Sequence, residues 1–592
     1  MPYPTEWNLT RYFYTGLDDP KLAADIANIL PLTLAFSEKY ATVFGKFTTP
    51  EQILEFYADY TKLSHEMATS SYYLFYRSSL DTQDLEVTKR MGEVDYIYTE
   101  ASNLMLFVAQ GWKEIGYERI LEWSNDPKLA AYKNDLVSTA DNIKYILGEK
   151  EEKVLNIKSR PLGLANSLHD ELTGSYEFMM TIDGVEKKLT EEEVRSYRQH
   201  TDRSVRIEAY KSLRRVYNTK QNQISLGNIY TSIVKDWSSE ITMRGYPDNV
   251  MAQRNISEEM DDEVVNMLLS EVEKAYPLYQ RFLKAKASML GLSDFGVHDV
   301  GAPMGNVEKE FSFEEAYDLH LSVMKDFDKD FYDYSLEMIQ EGRIDAFPRA
   351  GKRGGAFASY RKGDPSFVLL NFTGKLRDVS TISHELGHAI HGHLSQVQEA
   401  PVYDSALSMA ETASIFSEML LGEKVKSLVT QEEYKEYLNE RLGDVFATIF
   451  RQVQYVIFER AVHSQIHTGQ ELTYKELNGM WRDAQESLYS GTVAYDMARE
   501  EESGWSMVPH IYHTPFYCYA YAFGNLLTFS LYNKVQSGEL SKEDYKDILR
   551  SGGSERPRDL LGRYGIDIAS ADFYQAGLRE VEKMVEEFEK LV

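Results

Sequence analysis

Two histidines and a glutamate in the segment STISHELGHAIHGHLS, residues 380–395, have the residue types and the spacing of a metal-dependent hydrolytic site. His384 and His388 lie four positions apart, a little more than one helical turn, so both imidazoles project from one face and are able to share an ion. Glu385 is offset by one residue, which lets its carboxylate reach a water molecule on that ion. This H-E-x-x-H spacing predicts a zinc hydrolase in which Glu385 is the general base.

Two further histidines in the same segment are not expected to bind the ion. His391 lies seven residues from His384, about 10 Å along a helix axis, whereas two ligands of one zinc ion lie only some 3–4 Å apart. The longer pattern H-E-x-x-H-x-x-G-x-x-H also fails, because His391 and Leu394 stand where it requires glycine and histidine. We therefore expect His391 to be packed and His393 to face solvent.

A third metal ligand has to come from elsewhere in the chain. Thermolysin-like peptidases place a glutamate nineteen residues after the second histidine, and Leu407 occupies that position here. The acidic residues nearby are Glu399, Asp404, Glu411 and Glu418. Glu411 lies near the start of the segment SMAETASIFSEML, whose small residues are typical of a helix that packs closely on another helix. Spacing alone favours Glu411 and leaves the other acids open.

Length and composition describe a large globular protein. A chain of 592 residues is too long for one ordinary core, so two or more lobes are expected. The net charge of −29 argues against general binding to nucleic acids. The sequence contains neither a secretory signal nor an apolar run long enough for a membrane span. The only cysteine, Cys518, excludes an internal disulfide framework, and all this fits a cytoplasmic protein.

The residue pattern is mainly helical. Capping boxes, in which a serine or threonine precedes a glutamate by three residues, predict helix starts at Thr190-Glu193, Ser312-Glu315, Thr430-Glu433 and Thr473-Glu476. Ser380 is a further candidate cap, for the helix of the histidine motif. Asp183-Gly184 predicts a hairpin, and GGAFASYRKGDPSFVLLNF predicts two strands around a turn. The best candidate for a domain boundary lies near residue 190, after the predicted hairpin. It predicts an N-terminal helical domain over 1–190 and a catalytic domain over 191–592.

The motif and its surroundings resemble a known family. HELGHAIHGHL followed by MAETASIFSEML is similar to the oligoendopeptidase F branch of the thimet-oligopeptidase-type zinc metallopeptidases, and WNLTRYF and HIYHTPFYCYAYAFG agree. The resemblance implies that Glu411 is the third ligand of a single zinc ion. It implies a mainly α, two-lobed helical zincin with a deep central channel and a small β-sheet beside the active site. Its substrates would be short unfolded peptides.

The tyrosine-rich segment HIYHTPFYCYAYAFGN begins at His510. The resemblance implies that a histidine and tyrosines of this region donate hydrogen bonds to the oxyanion that forms when water adds to a peptide carbonyl. One such donor is typically worth about 2.7–4 kcal/mol of transition-state stabilisation. More distant relatives have several glycines in this region, whereas this chain has Pro515 and few glycines. The alignment of this segment with the family is therefore open. We assign His510 and Tyr519, with Tyr517 and Tyr521 as alternatives.

One more set of polar residues falls at helical spacing. Glu459, His463 and His467 extend over two turns of one predicted helix without a convergent partner, so we expect a structural role for them rather than a second metal site.

Together these features predict a zinc-dependent endopeptidase that hydrolyses internal bonds of short oligopeptides, with a zinc-bound water as nucleophile and Glu385 as general base. One alternative is a zinc peptidase that trims peptides from an end. Another is a non-catalytic, zinc-containing, peptide-binding protein, although structural zinc sites usually have four protein ligands, frequently cysteines. The oligomeric state is open.

Overall fold

The computed structural model describes residues 3–182, 184–305, 309–494 and 502–591, and the chain divides into two compact units. Unit 1 consists of Met1–Ile146, Lys309–Val425 and Val535–Tyr564. Unit 2 consists of Leu147–Glu308, Lys426–Lys534 and Gly565–Val592. Each unit is therefore assembled from three separate stretches of the chain. The division into domains at residue 190 stays a prediction.

Unit 1 is built mainly from α-helices. They are α1 (Pro20–Tyr40), α2 (Pro50–Leu80), α3 (Leu85–Leu104), α4 (Phe107–Ile115), α5 (Tyr117–Ser124), α6 (Lys133–Ile143), α14 (Phe313–Phe327), α15 (Lys329–Gln340), α16 (Leu376–Leu394), α17 (Thr412–Val425), α23 (Lys542–Arg550) and α24 (Pro557–Gly562). The N-terminal helices pack around an aromatic core, in which the ring centroids of Phe44 and Phe56 lie 4.2 Å apart. Helix α16 carries the histidine motif.

A three-stranded sheet packs against α16 in unit 1. Its strands are β3 (Ile344–Asp345), β4 (Phe357–Arg361) and β5 (Asp364–Leu369), in the order β3-β5-β4. Strand β4 pairs antiparallel with β5 through a turn at Gly363, whose φ of 86° favours glycine. The two strands predicted in this segment are confirmed. Among the described residues, β4 is an edge strand with β5 as its only strand partner.

Unit 2 is also helical. Its helices are α7 (Glu149–Gly174), α8 (Glu191–Ser196), α9 (Arg203–Tyr217), α10 (Lys220–Arg244), α11 (Ala252–Ser257), α12 (Asp262–Lys274), α13 (Tyr276–Met289), α18 (Gln431–Val445), α19 (Arg451–His467), α20 (Tyr474–Tyr489), α21 (His510–His513), α22 (Tyr519–Ser537) and α25 (Ala571–Glu589). Strands β1 (Phe178–Ile182) and β2 (Val185–Leu189) form the predicted antiparallel hairpin. Gly184 turns it with a φ of 76°, while Asp183 lies outside the described residues.

The four predicted capping boxes are confirmed at the starts of α8, α14, α18 and α20. In each, the glutamate carboxylate accepts the backbone N–H of the serine or threonine at 2.7–2.8 Å. The cap predicted at Ser380 is wrong, because α16 begins at Leu376. Asp378 accepts the backbone N–H groups of Thr373 and Lys375, so it starts the helix one turn earlier.

The prediction of a mainly α fold with a small β-sheet beside the motif is confirmed. Within the part of the chain that the structure describes, no helix combines the length and the apolar character needed to cross a membrane.

Candidate active site

Helices α16 and α17 meet at the histidine motif, and Gly387 allows their close approach. A Cβ atom on Gly387 would lie 2.5 Å from the carbonyl oxygen of Ala413 and 2.6 Å from Cα of Ser414. Both distances are far shorter than an ordinary van der Waals contact of 3.4–4 Å. Glycine at this position therefore brings the two backbones close enough for both segments to contribute to one site.

Three potential metal-ligand atoms converge at this crossing. The Nε2 atoms of His384 and His388 lie 3.2 Å apart, and Oε2 of Glu411 lies 3.4 Å from each of them. Tetrahedral bonds of 2.0–2.2 Å to zinc place ligand atoms roughly 3.3–3.6 Å apart. Two imidazoles and one carboxylate therefore fit a zinc ion in both donor type and spacing. Three protein ligands are the number typical of catalytic zinc sites.

Hydrogen bonds orient both imidazoles. Nδ1 of His384 donates to Oε1 of Glu418 at 2.5 Å, and the ring of His388 bonds to the backbone of Ala410. A proton held on the far ring nitrogen leaves Nε2 available to a metal. Burial lowers the pKa of His384, but the hydrogen bond to Glu418 and the negative charges of Glu418, Glu411 and Glu385 together outweigh it and raise this pKa to about 9. Burial lowers the pKa of His388 to about 4, against the attraction of Glu411.

Glu418 had no assigned role in the sequence, where it was one of four acids near the motif. It lies seven residues after Glu411, which is two helical turns, so both carboxylates point to the same side. That spacing was the signal that could have identified Glu418 as the hydrogen-bond partner of His384.

Glu385 lies beside the three potential ligand atoms and is 7% exposed. Burial raises the pKa of its carboxyl group to about 7, although the neighbouring His384 opposes this effect. The backbone N–H of Ala358 on β4 donates to the same carboxylate. A carboxyl group with a pKa near neutrality is able both to accept and to return a proton, which suits a general base that later acts as an acid.

The site opens into a pocket of about 470 Å³. One wall is the segment 356–360, which includes most of edge strand β4, and the other is formed by His384, Glu385, His388 and Glu411. The pocket therefore presents both a reactive cluster and a length of strand.

The other two motif histidines lie where they were predicted. His391 is 4% exposed, in agreement with a packed role, and burial lowers its pKa to about 4. His393 is exposed at the surface, where its ring stacks on Tyr334 with 3.9 Å between centroids. Neither imidazole belongs to the three-ligand cluster.

The tyrosine-rich segment lies in unit 2, where part of it forms a cluster of rings. The ring of Tyr521 lies 5.1 Å from that of Tyr517 and 6.0 Å from that of His510, and all three side chains are half-buried. Tyr519, which the sequence favoured, is fully buried and is not part of this cluster. Residues two apart on a helix point to nearly opposite sides, so α22 cannot present Tyr519 and Tyr521 together.

A second group of potential metal ligands in unit 2 is explained by hydrogen bonds. Oδ1 of Asp170 lies 2.9 Å from Nδ1 of His169 and 2.9 Å from Nε2 of His513. These are ordinary hydrogen-bond lengths, shorter than the 3.2–3.4 Å spacings among His384, His388 and Glu411. The group therefore ties α7 to α21 as a hydrogen-bonded network.

Two family models match this chain. The model described as Peptidase family M3 matches residues 196–580, and the model described as Oligopeptidase F matches residues 112–178. The chain belongs to peptidase family M3. This M3 protein is therefore a metallopeptidase, a hydrolase of peptide bonds, and the predicted resemblance to oligoendopeptidase F is confirmed.

Individual relatives agree with the family models. The chain is 28% identical over 472 residues to Group B oligopeptidase PepB of Streptococcus agalactiae, covering 79% of this chain and 78% of the relative. It is 25% identical over 556 residues to an oligoendopeptidase F homolog of Lactococcus lactis subsp. lactis, covering 92% and 90%.

Solved structures show the same fold. A crystal structure of a Chlamydophila abortus protein described as a peptidase superposes with a TM-score of 0.88 at 24% identity, covering 100% of this chain and 99% of the other. Oligoendopeptidase-F from Enterococcus faecium superposes with a TM-score of 0.70 at 19% identity, covering 96% and 97%.

Proposed function

We propose that this M3 peptidase is a zinc-dependent endopeptidase that hydrolyses internal bonds of short, unfolded oligopeptides. The observation that carries the proposal is the convergence of His384, His388 and Glu411 beside Glu385, in a pocket walled by an edge strand. The names of the oligopeptidase relatives support the substrate class.

His384, His388 and Glu411 would hold one zinc ion, with Glu418 and the backbone of Ala410 fixing the two imidazoles. Zinc, when bound, lowers the pKa of a water molecule and polarises a carbonyl group. The carboxylate of Glu418 keeps the ring of His384 in one orientation and makes it a better electron donor.

Glu385 takes the proton from the attacking water and later delivers it to the departing amine. The N–H of Ala358 holds the carboxylate in place beside the strand on which the substrate lies.

The free edge of β4 would receive the peptide in an extended conformation, by adding it as a strand to the sheet. In this binding mode the hydrogen bonds go to the main chain of the peptide rather than to particular side chains, and only an unfolded segment is able to form them. His510 would donate to the oxyanion, together with Tyr521 or Tyr517 from the same ring cluster. A cytoplasmic location completes the proposal.

The test is the substitution Glu385→Gln, which keeps the size of the side chain and removes the base. We expect zinc content to stay at the parent level and turnover of a quenched fluorescent peptide to fall by about 10²–10⁴-fold. Glu423→Gln, on the exposed side of α17, is the matched control and should change neither. Turnover at the parent rate in the Glu385 variant would show that this mechanism is wrong.

Peptides blocked at both ends separate the proposal from its alternatives. An endopeptidase cleaves them at internal bonds, and mass spectrometry identifies the products. An enzyme that trims from an end leaves blocked peptides intact while it shortens free ones. A non-catalytic zinc protein binds peptides and one zinc ion but cleaves neither kind.

A further inference from the structure

Glu459 is a fully buried carboxyl group on α19 in unit 2. Its Oε1 accepts the backbone N–H of Phe516 at 2.9 Å. Its Oε2 is buried without a hydrogen-bond partner among the residues that the structure describes. A buried carboxyl group with a single hydrogen bond stabilises a fold less than a well-packed apolar side chain of similar size. Stability alone therefore does not explain this residue.

Phe516 has an unusual backbone conformation. Its φ is 61°, in the left-handed region that a bulky side chain rarely adopts. It lies in the turn between α21, which begins with His510, and α22, which carries Tyr521. Because this turn sets the direction in which the chain leaves α21, its conformation determines how the two side chains lie relative to each other.

Contacts from two other helices hold the same turn. Nε of Arg254 on α11 donates to the carbonyl oxygen of Pro515 at 3.1 Å. The ring of Phe516 packs against the rings of His463 and Trp237, with centroid distances of 4.5 and 5.9 Å. His463 is itself fully buried and lies one helical turn after Glu459 on α19. The turn is therefore held through its backbone and its side chain at once.

We infer that Glu459 is a positioning residue: by accepting the N–H of Phe516, it holds the 515–516 turn in the left-handed conformation that aligns His510 with Tyr521. The inference rests on the proposed function, because the alignment matters only if these two side chains contact the substrate. It also gives a role to two residues of the sequence pattern Glu459, His463 and His467. The first holds the backbone of the turn and the second packs on its aromatic ring.

The protonation state of Glu459 suggests how to test this role. Burial raises the pKa of its carboxyl group to about 8, so it is largely neutral at pH 7. A neutral carboxyl group still accepts a hydrogen bond through its carbonyl oxygen, and a glutamine amide does the same with nearly the same shape. Glutamine at position 459 should therefore preserve the hydrogen bond to Phe516, whereas methionine fills the space without offering a comparable acceptor.

The experiment compares Glu459→Gln with Glu459→Met at pH 7 on the zinc-loaded enzyme. We expect kcat/KM of the methionine variant to fall about 10- to 100-fold, mainly in kcat, because a displacement near 1 Å is sufficient for such a loss. The glutamine variant should stay close to the parent. Hydrogen–deuterium exchange of peptides covering residues 510–521 should be faster in the methionine variant only.

A control separates positioning from general destabilisation. Leu283→Ala removes a fully buried side chain from α13 in the same unit, so it should lower the melting temperature while kcat stays at the parent value. If the methionine variant does not fold, Glu459→Asp takes its place, because its carboxyl group is one methylene too short to reach Phe516. We then expect the same loss of kcat.

Three outcomes would overturn the inference. Parent activity in the methionine variant would show that the turn does not need Glu459, and equal losses in both variants would show that the acceptor is not what matters. Full activity in both His510→Ala and Tyr521→Phe would remove the role of the segment itself. The Glu385→Gln test is independent of all three, so a failure here leaves the zinc mechanism standing.

Discussion

Replacing Gly387 with alanine should disrupt the active site without touching a single reactive group. Gly387 lies one residue before His388 on α16, and its Cα faces the backbone of α17. Because α16 carries the two histidines and α17 follows directly after Glu411, the distance between these helices sets the spacing of the three proposed ligand atoms.

The size of the effect follows from the contacts. A Cβ at position 387 would lie 2.5 and 2.6 Å from backbone atoms of Ala413 and Ser414. Backbone atoms cannot rotate away as a side chain does, so the two segments have to separate by about 1 Å to reach a normal contact distance. Overpacking of this kind destabilises a protein by about 1–3 kcal/mol. A shift of about 1 Å in a catalytic group lowers turnover by about 10²-fold.

The assay for Gly387→Ala has three readouts: kcat/KM on a quenched peptide with saturating zinc, zinc affinity by competition with a chelator, and thermal unfolding. We expect kcat/KM, the zinc affinity and the melting temperature all to fall. Gly443→Ala in α18 is the control, since a Cβ atom on Gly443 would have no neighbouring atom within 4 Å, and alanine there should raise stability by up to about 1 kcal/mol. Parent zinc affinity and turnover in the Gly387 variant would refute the view that this close helix approach sets the ligand geometry.

Two further substitutions examine individual side chains of the site. Glu418→Gln should weaken zinc binding about 10- to 100-fold, because His384 loses its charged partner; a chelator titration measures this, and an unchanged affinity would contradict the orienting role. Tyr521→Phe should lower kcat by about 10²–10³-fold while Tyr519→Phe stays near the parent rate. The opposite order in steady-state kinetics would return the oxyanion role to Tyr519.

Local features of this chain were predictable from its sequence because helical geometry determines them. The four-residue spacing of His384 and His388 places both imidazoles on one face in any regular helix. The capping boxes form within four residues, so the sequence alone predicted the starts of α8, α14, α18 and α20. Glu411 depended on the family resemblance, because the loop that precedes it has no regular period from which its position could be derived.

Features that depend on tertiary contacts were not predictable in this way. Ser380 matched the residue type of a cap, but Asp378 competes for the same helix start and bonds two backbone N–H groups. The choice among the tyrosines depended on where α22 begins. A shift of the helix start by one residue changes which tyrosine side chains lie on the buried face and which lie on the half-buried face.

The bond between Glu459 and Phe516 shows the same limit most clearly, because 57 positions separate its partners and neither residue has a distinctive local motif. In the sequence Glu459 was only one member of a helical series with no obvious partner. The role of Glu459 depends on the backbone N–H that it accepts. Every non-proline residue has such a group, so the residue types in the sequence do not identify which N–H donates to Glu459. A buried acid at helical spacing thus indicates that some backbone is held, but only the folded chain identifies which one.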